Sequence, residues 1–429
     1  MLSYSFPVKN ISAFKQQMLS WGNRFNICCF LDNNDYRLRG QRAEALLAAD
    51  AVEQLQCNAG TAFEQLRAFH AARPGWLFGH LGYDLKNETE KLSSIHPDGI
   101  QFPDLFFFRP RYLLLLEQQQ VLISGEDLKE TAARKIYESC LAEPETPPAA
   151  VTRASFNLEA RMDETYYLAA VRSLQEHIRK GDCYEVNFCR EQYAYTTIDP
   201  LLLFHRLNAL SPAPFAAYYR TGDKYLVCSS PERFLRKEGS TLISQPIKGT
   251  ITRATDPAAD ELLRQELLHN PKERAENVMI VDLVRNDLSK TAVQGTVHVD
   301  ELFGIYAFPQ VHHMISTVMA TLDERFHFTD AIREAFPMGS MTGAPKVRVM
   351  ELIEQYERTK RGLFSGAVGY ITPEGNFDLN VVIRSMLYNA EHRYLSFQTG
   401  SAITFNSTPE KEWEECLLKA KALKTALGL

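Results

Sequence analysis

An α+β fold with largely antiparallel sheets is the class this sequence predicts, and three features carry the prediction. Strand-like and helix-like stretches come in blocks rather than in strict alternation, which disfavours a doubly wound parallel sheet. The strongest helical periodicity, over 162–178, follows a proline-rich break. Short β-rich runs then cluster at 215–245 and again at 366–399.

The first third mixes the two kinds of stretch. Residues 76–85 (WLFGHLGYDL) are apolar and punctuated by glycine, and 106–116 (FFFRPRYLLLL) reads as strand around a proline interruption. No catalytic spacing occurs there. Residues 142–150 (AEPETPPAA) hold three prolines, which disfavour helix and sheet. They predict a linker over 142–153 between an N-terminal region, 1–141, and a second region, 154–429. That second region opens with Met162, Tyr166, Tyr167, Ala170, Val171, Leu174 and Ile178 at helical spacing, and Gly181 supplies a stop. Strands are predicted at 215–219, 225–229 and 241–245. A long helical region over 260–286 carries Pro271 as a kink or break. Further helices are predicted at 344–356 and 409–427, and strands at 366–371, 381–388 and 395–399. There is no internal repeat and no low-complexity tract.

Composition excludes several classes. The 429 residues are 45% hydrophobic and 11% aromatic, which is enough for a core. Lys+Arg number 47 against 53 Asp+Glu, a net charge of -6. With no basic excess and no polybasic run, nucleic acid is not the expected partner. No apolar run approaches a membrane span, and the start, MLSYSFPVKN, lacks the pattern of a signal peptide. The eight cysteines form no CxxC pair, so reduced thiols of a cytoplasmic protein are expected rather than zinc ligands or disulfides.

Three segments could carry chemistry. Two ExxE pairs, Glu273 with Glu276 and Glu412 with Glu415, put two carboxylates on one helix face each. Four carboxylates from two helices suit a hard cation such as Mg²⁺. The same spacing also occurs on ordinary solvated faces, but Val278–Leu283 beside the first pair is apolar and points to burial. Lys248 lies in PIKGT at the end of a strand-like run, where Gly249 allows a tight turn. A free lysine titrates near about 10.4, so a reactive amine at neutral pH needs about 4 kcal/mol of destabilisation of its charge. Burial supplies this and nearby carboxylates oppose it. Residues 336–346 (FPMGSMTGAPK) could cradle an anion at a helix start, though they lack P-loop spacing.

The motifs QPIKGT, HNPKERAENVMIVDLVRNDLSK, VHHMIST, FPMGSMTGAPKVRVMELI, SGAVGYI, VVIRS and the terminal STPEKEWEE resemble, in the same order, the chorismate-binding superfamily. That group includes anthranilate synthase component I, aminodeoxychorismate synthase component I, and the isochorismate and salicylate synthases. The resemblance covers about 155–425 through several long motifs; before that it is carried mainly by LGYDL. It implies two large, mostly antiparallel sheets packed together with helices outside.

The resemblance also implies roles. Glu273, Glu276, Glu412 and Glu415 match the family's magnesium glutamates. Glu232, in SPERF, matches a general acid near the C4 hydroxyl of chorismate. His313, Ser340, Tyr370, Arg384, Gly400 and Lys419 match substrate-binding positions. Lys248 matches the nucleophile of the aminodeoxychorismate synthase branch, where anthranilate synthases have alanine. The implied reaction is amino-group transfer to chorismate, giving 4-amino-4-deoxychorismate for p-aminobenzoate and folate synthesis. With no glutaminase nucleophile in the sequence, ammonia is expected from a separate glutamine amidotransferase subunit. Three positions depart from the family: Glu185 stands where amine-adding relatives usually have glutamine and water-adding ones often lysine, Ala402 replaces a glycine, and Cys416 a threonine. Anthranilate or isochorismate/salicylate chemistry, and chorismate binding without turnover, are the alternatives.

Overall fold

The computed structural model describes residues 2–36, 43–144, 155–308 and 310–429. Of the expected linker only 142–144 fall among them, and the rest lies outside the described residues.

Among the described residues the strands form one hydrogen-bonded network of 20, and each pairing is antiparallel. One limb starts with Glu185–Tyr195 against Tyr394–Thr404. It continues through Ser385–Asn389, Lys224–Ser230, Phe215–Thr221 and Ile27–Asp32 to Ala45–Cys57. Ala45–Cys57 pairs along its length with Leu105–Glu117. The second limb runs from there through Leu77–Leu81, Ala367–Ile371, Phe377–Asn380, Arg233–Glu238 and Thr241–Gln245 to Val311–Thr321.

The limbs are joined at the two long strands. Their register breaks between Ala51 and Glu53, and Asp50 takes φ 58. The residue opposite Ala51 is Pro110, which has no N–H to give to a ladder. A bulge bends a strand and increases its twist, so the network turns here. The limbs then face each other across a core that holds Leu46, Ala217 and Leu226 from one and Leu235, Val318, Val368 and Leu379 from the other. Polar contacts also cross it: His80 Nδ1 lies 3.0 Å from the Tyr219 hydroxyl. The α+β class therefore holds, with the two expected sheets as limbs of one network.

Several elements differ from the sequence expectation for identifiable reasons. Pro110 does not interrupt its strand. Pro271 does break the long helical region, into Pro257–His269 and Pro271–Ser289, because Asn270 turns out of helix and caps the second one. The strand expected at 381–388 is only Ser385–Asn389, since Arg384 takes a left-handed φ of 49. Glu185–Tyr195 and Val311–Thr321 were not expected as strands. Both bury polar side chains, among them Glu185, Asn187, Arg190, Glu191, His312, His313 and Thr317, which hides the apolar alternation. The helix Glu164–Arg179 forms as predicted, capped by Asp163 and ended by Gly181 at φ 85. All eight cysteines are free thiols. No helix among the described residues is long and apolar enough to cross a membrane.

Candidate active site

Three elements converge at the end of the network. The strand Ile247–Thr252 carries Lys248, the helix Pro271–Ser289 carries Glu273 and Glu276, and the helix Pro409–Leu427 carries Glu412, Glu415 and Lys419. The first helix starts where it does because the Asn270 side chain accepts from the backbone N–H groups of Lys272 and Glu273, at 3.0 and 3.2 Å, with Pro271 in the first turn. Gly249 turns at φ 97, and a Cβ there would sit 3.2 Å from Glu273 Oε2. Glycine thus lets the Glu273 carboxylate lie directly against the strand that bears Lys248.

Lys272 stands among the four glutamates. Its ammonium is 3.7 Å from Glu276 Oε1 and 3.8 Å from Glu412 Oε1, so it bridges the two helices. Burial opposes its charge, but Glu276, Glu412, Glu273 and Glu415 together raise its pKa above the ordinary value. Glu276 is 7% exposed, and burial pushes its carboxyl up to about 7 against the pull of Lys248. Its buried Oε1 has no hydrogen bond. As the side chains stand, no three metal-ligating groups among the described residues close on a common point. The donor set still fits a hard divalent ion: it is all carboxylate, incompletely paired, and drawn from two helices around one cation. Lys272 was not singled out from sequence, although its i,i+4 spacing to Glu276 was readable there. An ammonium in this place competes with a divalent ion. Lys272→Met is therefore expected to tighten Mn²⁺ binding about tenfold by electron paramagnetic resonance titration, and Glu276→Gln to weaken it; unchanged affinity in the lysine variant would show that its ammonium does not compete.

Lys248 is 8% exposed and donates to Glu185 Oε1 at 2.5 Å. Burial works to lower its pKa, but Glu185, Glu276 and Glu232 outweigh that and raise it. The resting amine is therefore protonated, where a neutral one was the expectation for a nucleophile. Glu185, only 1% exposed, leaves Oε2 without a partner. Glu232 is buried too, and burial lifts its carboxyl to about 7, partly countered by Ser340, Lys248, the backbone N–H of Ile247 and Arg384. The Ser340 hydroxyl is near enough to Glu232 to be felt but forms no well-aligned hydrogen bond.

A second polar chain borders Glu232. His313 Nδ1 lies 2.8 Å from Thr250 Oγ1, and its Nε2 lies 3.1 Å from Arg384 Nη2. A guanidinium only donates, so Nε2 accepts and Nδ1 carries the proton. Burial, then Arg384, keeps His313 neutral, well below the usual imidazole range. Burial lowers the Arg384 pKa to about 10, which leaves it cationic at neutral pH. His313 thus aims a guanidinium whose remaining donors can face a carboxylate. Lys419 pairs with Glu415 at 2.7 Å and donates to Gly400 O at 2.8 Å. Gly400 is needed for strand packing, because a Cβ would come within 2.5 Å of Phe188 O.

Tyr370 is not brought to this cluster. It lies directly across from Phe78 in the ladder, and its ring packs on Trp76 and Phe78 at 5.4 and 5.9 Å between centroids. The loop bearing Ser340 is fixed by Arg361, which is 3% exposed. Its guanidinium reaches Met341 O at 2.6 Å, Asn187 O at 2.9 Å and Glu357 Oε1 at 2.6 Å. Asn187 in turn donates to Ser340 O at 2.9 Å. This bond set ties the strand of Glu185 to the loop of Ser340, and none of it was visible in the sequence.

The family model for chorismate binding enzymes matches residues 17–425. An anthranilate synthase component I-like protein from Synechocystis is 37% identical over 82% of this chain and 72% of its own length. An aminodeoxychorismate synthase component 1 from Salmonella typhimurium is 36% identical over 81% of this chain and 76% of its own. The crystal structure of anthranilate synthase component I from Streptococcus pneumoniae superposes with a TM-score of 0.77 at 24% identity, over 90% of this chain and 93% of that one, and so shares the fold. This chain belongs to the chorismate-binding enzyme family.

Proposed function

We propose that the chain aminates chorismate at C4, giving 4-amino-4-deoxychorismate with the pyruvyl ether retained. The observation that carries this reading is a buried lysine, Lys248, set between a hydrogen-bonded carboxylate, Glu185, and a carboxyl held near neutrality, Glu232. Lys248 Nζ, once neutral, attacks C2. Glu232 gives its proton to the C4 hydroxyl, which leaves as water. Ammonia then bonds to C4 and the Lys248 amine departs from C2. Arg384, held by His313, and Lys419 orient the substrate's carboxylates. Glu273, Glu276, Glu412 and Glu415 would hold Mg²⁺, which when bound supplies positive charge opposite a substrate carboxylate. A glutamine amidotransferase partner delivers the ammonia; the Salmonella relative's name, component 1, agrees with a second component.

A specific observation favours a second reading. Lys248 is protonated at rest, and an ammonium has no lone pair with which to attack. With Lys248 silent, ammonia would add at C2 as the C4 hydroxyl leaves as water, and elimination of the pyruvyl ether as pyruvate would then give anthranilate, in keeping with the name of the Synechocystis relative. One assay separates the two: chorismate, Mg²⁺ and an ammonium salt are incubated with the protein and the products resolved by chromatography. 4-Amino-4-deoxychorismate is the expected product; anthranilate or isochorismate would overturn the proposal.

A further inference from the structure

We propose that Glu185 is the group that removes the proton from Lys248 and so makes it a nucleophile, an inference that rests on the reading of Lys248 given above. Among the described residues, Lys248 Nζ has one hydrogen-bond partner, Glu185 Oε1, at 2.5 Å. Both residues are buried. The proton therefore has a single short first step, along that bond. The pair is neutral overall before and after the transfer, but only the ion-pair form places two charges in a buried site. Water exclusion by a bound substrate penalises that form and favours the neutral amine beside a neutral acid. The free Oε2 of Glu185 adds to this, because its carboxylate lacks the full set of donors that would stabilise a buried anion.

The groups facing this pair narrow the choice of acceptor. Glu276 comes from the helix Pro271–Ser289 and Glu232 from the loop before the strand Arg233–Glu238, and both favour a charged lysine. Glu273 on the same helix as Glu276 and Glu415 on the helix Pro409–Leu427 also feel the Lys248 charge and favour it, whereas Lys419 opposes it. Glu276 belongs to the carboxylate cluster and Glu232 must keep its own proton for the leaving hydroxyl. Neither hydrogen-bonds Lys248. In the transfer, the ammonium N–H bond breaks and an O–H bond forms on Glu185, leaving Lys248 as a neutral amine. Its lone pair forms the bond to C2 as the C4–O bond breaks and Glu232 protonates the leaving oxygen. When ammonia later bonds to C4, Lys248 departs as a neutral amine and recovers the proton from Glu185, and the new C4 ammonium returns a proton to Glu232.

Glu185→Gln keeps the shape and the acceptor oxygen but cannot take a proton. Rapid mixing with saturating chorismate and Mg²⁺, without ammonium, followed by intact-protein mass spectrometry at several pH values, reads formation of the lysine-linked adduct. The glutamine variant is expected to form it about 100-fold more slowly at pH 7. Its rate should climb about tenfold per pH unit as hydroxide replaces the missing acceptor. Adduct formation at the wild-type rate or faster at pH 7 would overturn the proposal, since Glu185 would then only restrain the amine. Wild-type protein that yields 4-amino-4-deoxychorismate with no adduct at any pH is a different result, and sinks the nucleophile reading itself. Glu185→Asp carries the same comparison if the glutamine variant does not fold: it retracts the carboxylate, so slower adduct formation supports the proposal and an unchanged rate counts against it.

Discussion

Lys248→Ala is expected to abolish the covalent adduct and to slow formation of 4-amino-4-deoxychorismate by about 10⁴-fold or more, as loss of a nucleophile does in other covalent enzymes. The substitution has a structural cost as well. It leaves the Glu185 carboxylate buried without its only described cationic partner, and breaking one side of such a pair costs about 3–5 kcal/mol. Lost activity alone therefore does not separate chemistry from folding. Lys248→Met combined with Glu185→Gln removes both charges together and avoids leaving one of them unpaired. That double variant should melt nearer to the wild type than Lys248→Ala does, and should still give no adduct. If either variant retains amination within about tenfold of the wild type, the covalent route is excluded.

Glu232→Gln should lower amination by about 10²–10⁴-fold, the usual contribution of a positioned general acid. The pH dependence is the sharper readout. Burial holds the Glu232 carboxyl at about 7, so it keeps its proton below that pH and loses it above. A group that must donate works only while protonated. Wild-type turnover should therefore fall as pH rises through about 7, and the residual activity of the glutamine variant should lack that fall. An alkaline limb that survives in the variant would assign it to another group, such as Glu276, whose carboxyl is also held at about 7.

What the sequence revealed, and what it hid, follows from the physics of each part. The helices Glu164–Arg179 and Pro409–Leu427 were readable because one apolar face repeats and terminal residues punctuate them. The ExxE pairs were visible as spacing, while their convergence on Lys272 is a property of the fold. Glu185 stood out only as a departure from a resembling family; its contact with Lys248 joins residues far apart in the chain. The strand that carries it escaped notice because buried arginine, glutamate and glutamine look like surface in a sequence, yet here Glu191 pairs with Arg161 and Glu185 with Lys248. Tyr370 shows the converse. A motif match gave its position in the chain, and the strand register decided that it faces Phe78.

The interleaving of early and late strands bears on how the chain is made. Leu77–Leu81 lies against Ala367–Ile371, and Ile27–Asp32 against Phe215–Thr221. During translation each early strand leaves the ribosome well before its neighbour exists. One side of each then stays open, an apolar edge that invites pairing with the wrong chain. Pairings between strands so distant in sequence close slowly as a rule, and the yield in a cell is expected to depend on chaperones that shield nascent strands until the carboxyl-terminal half emerges.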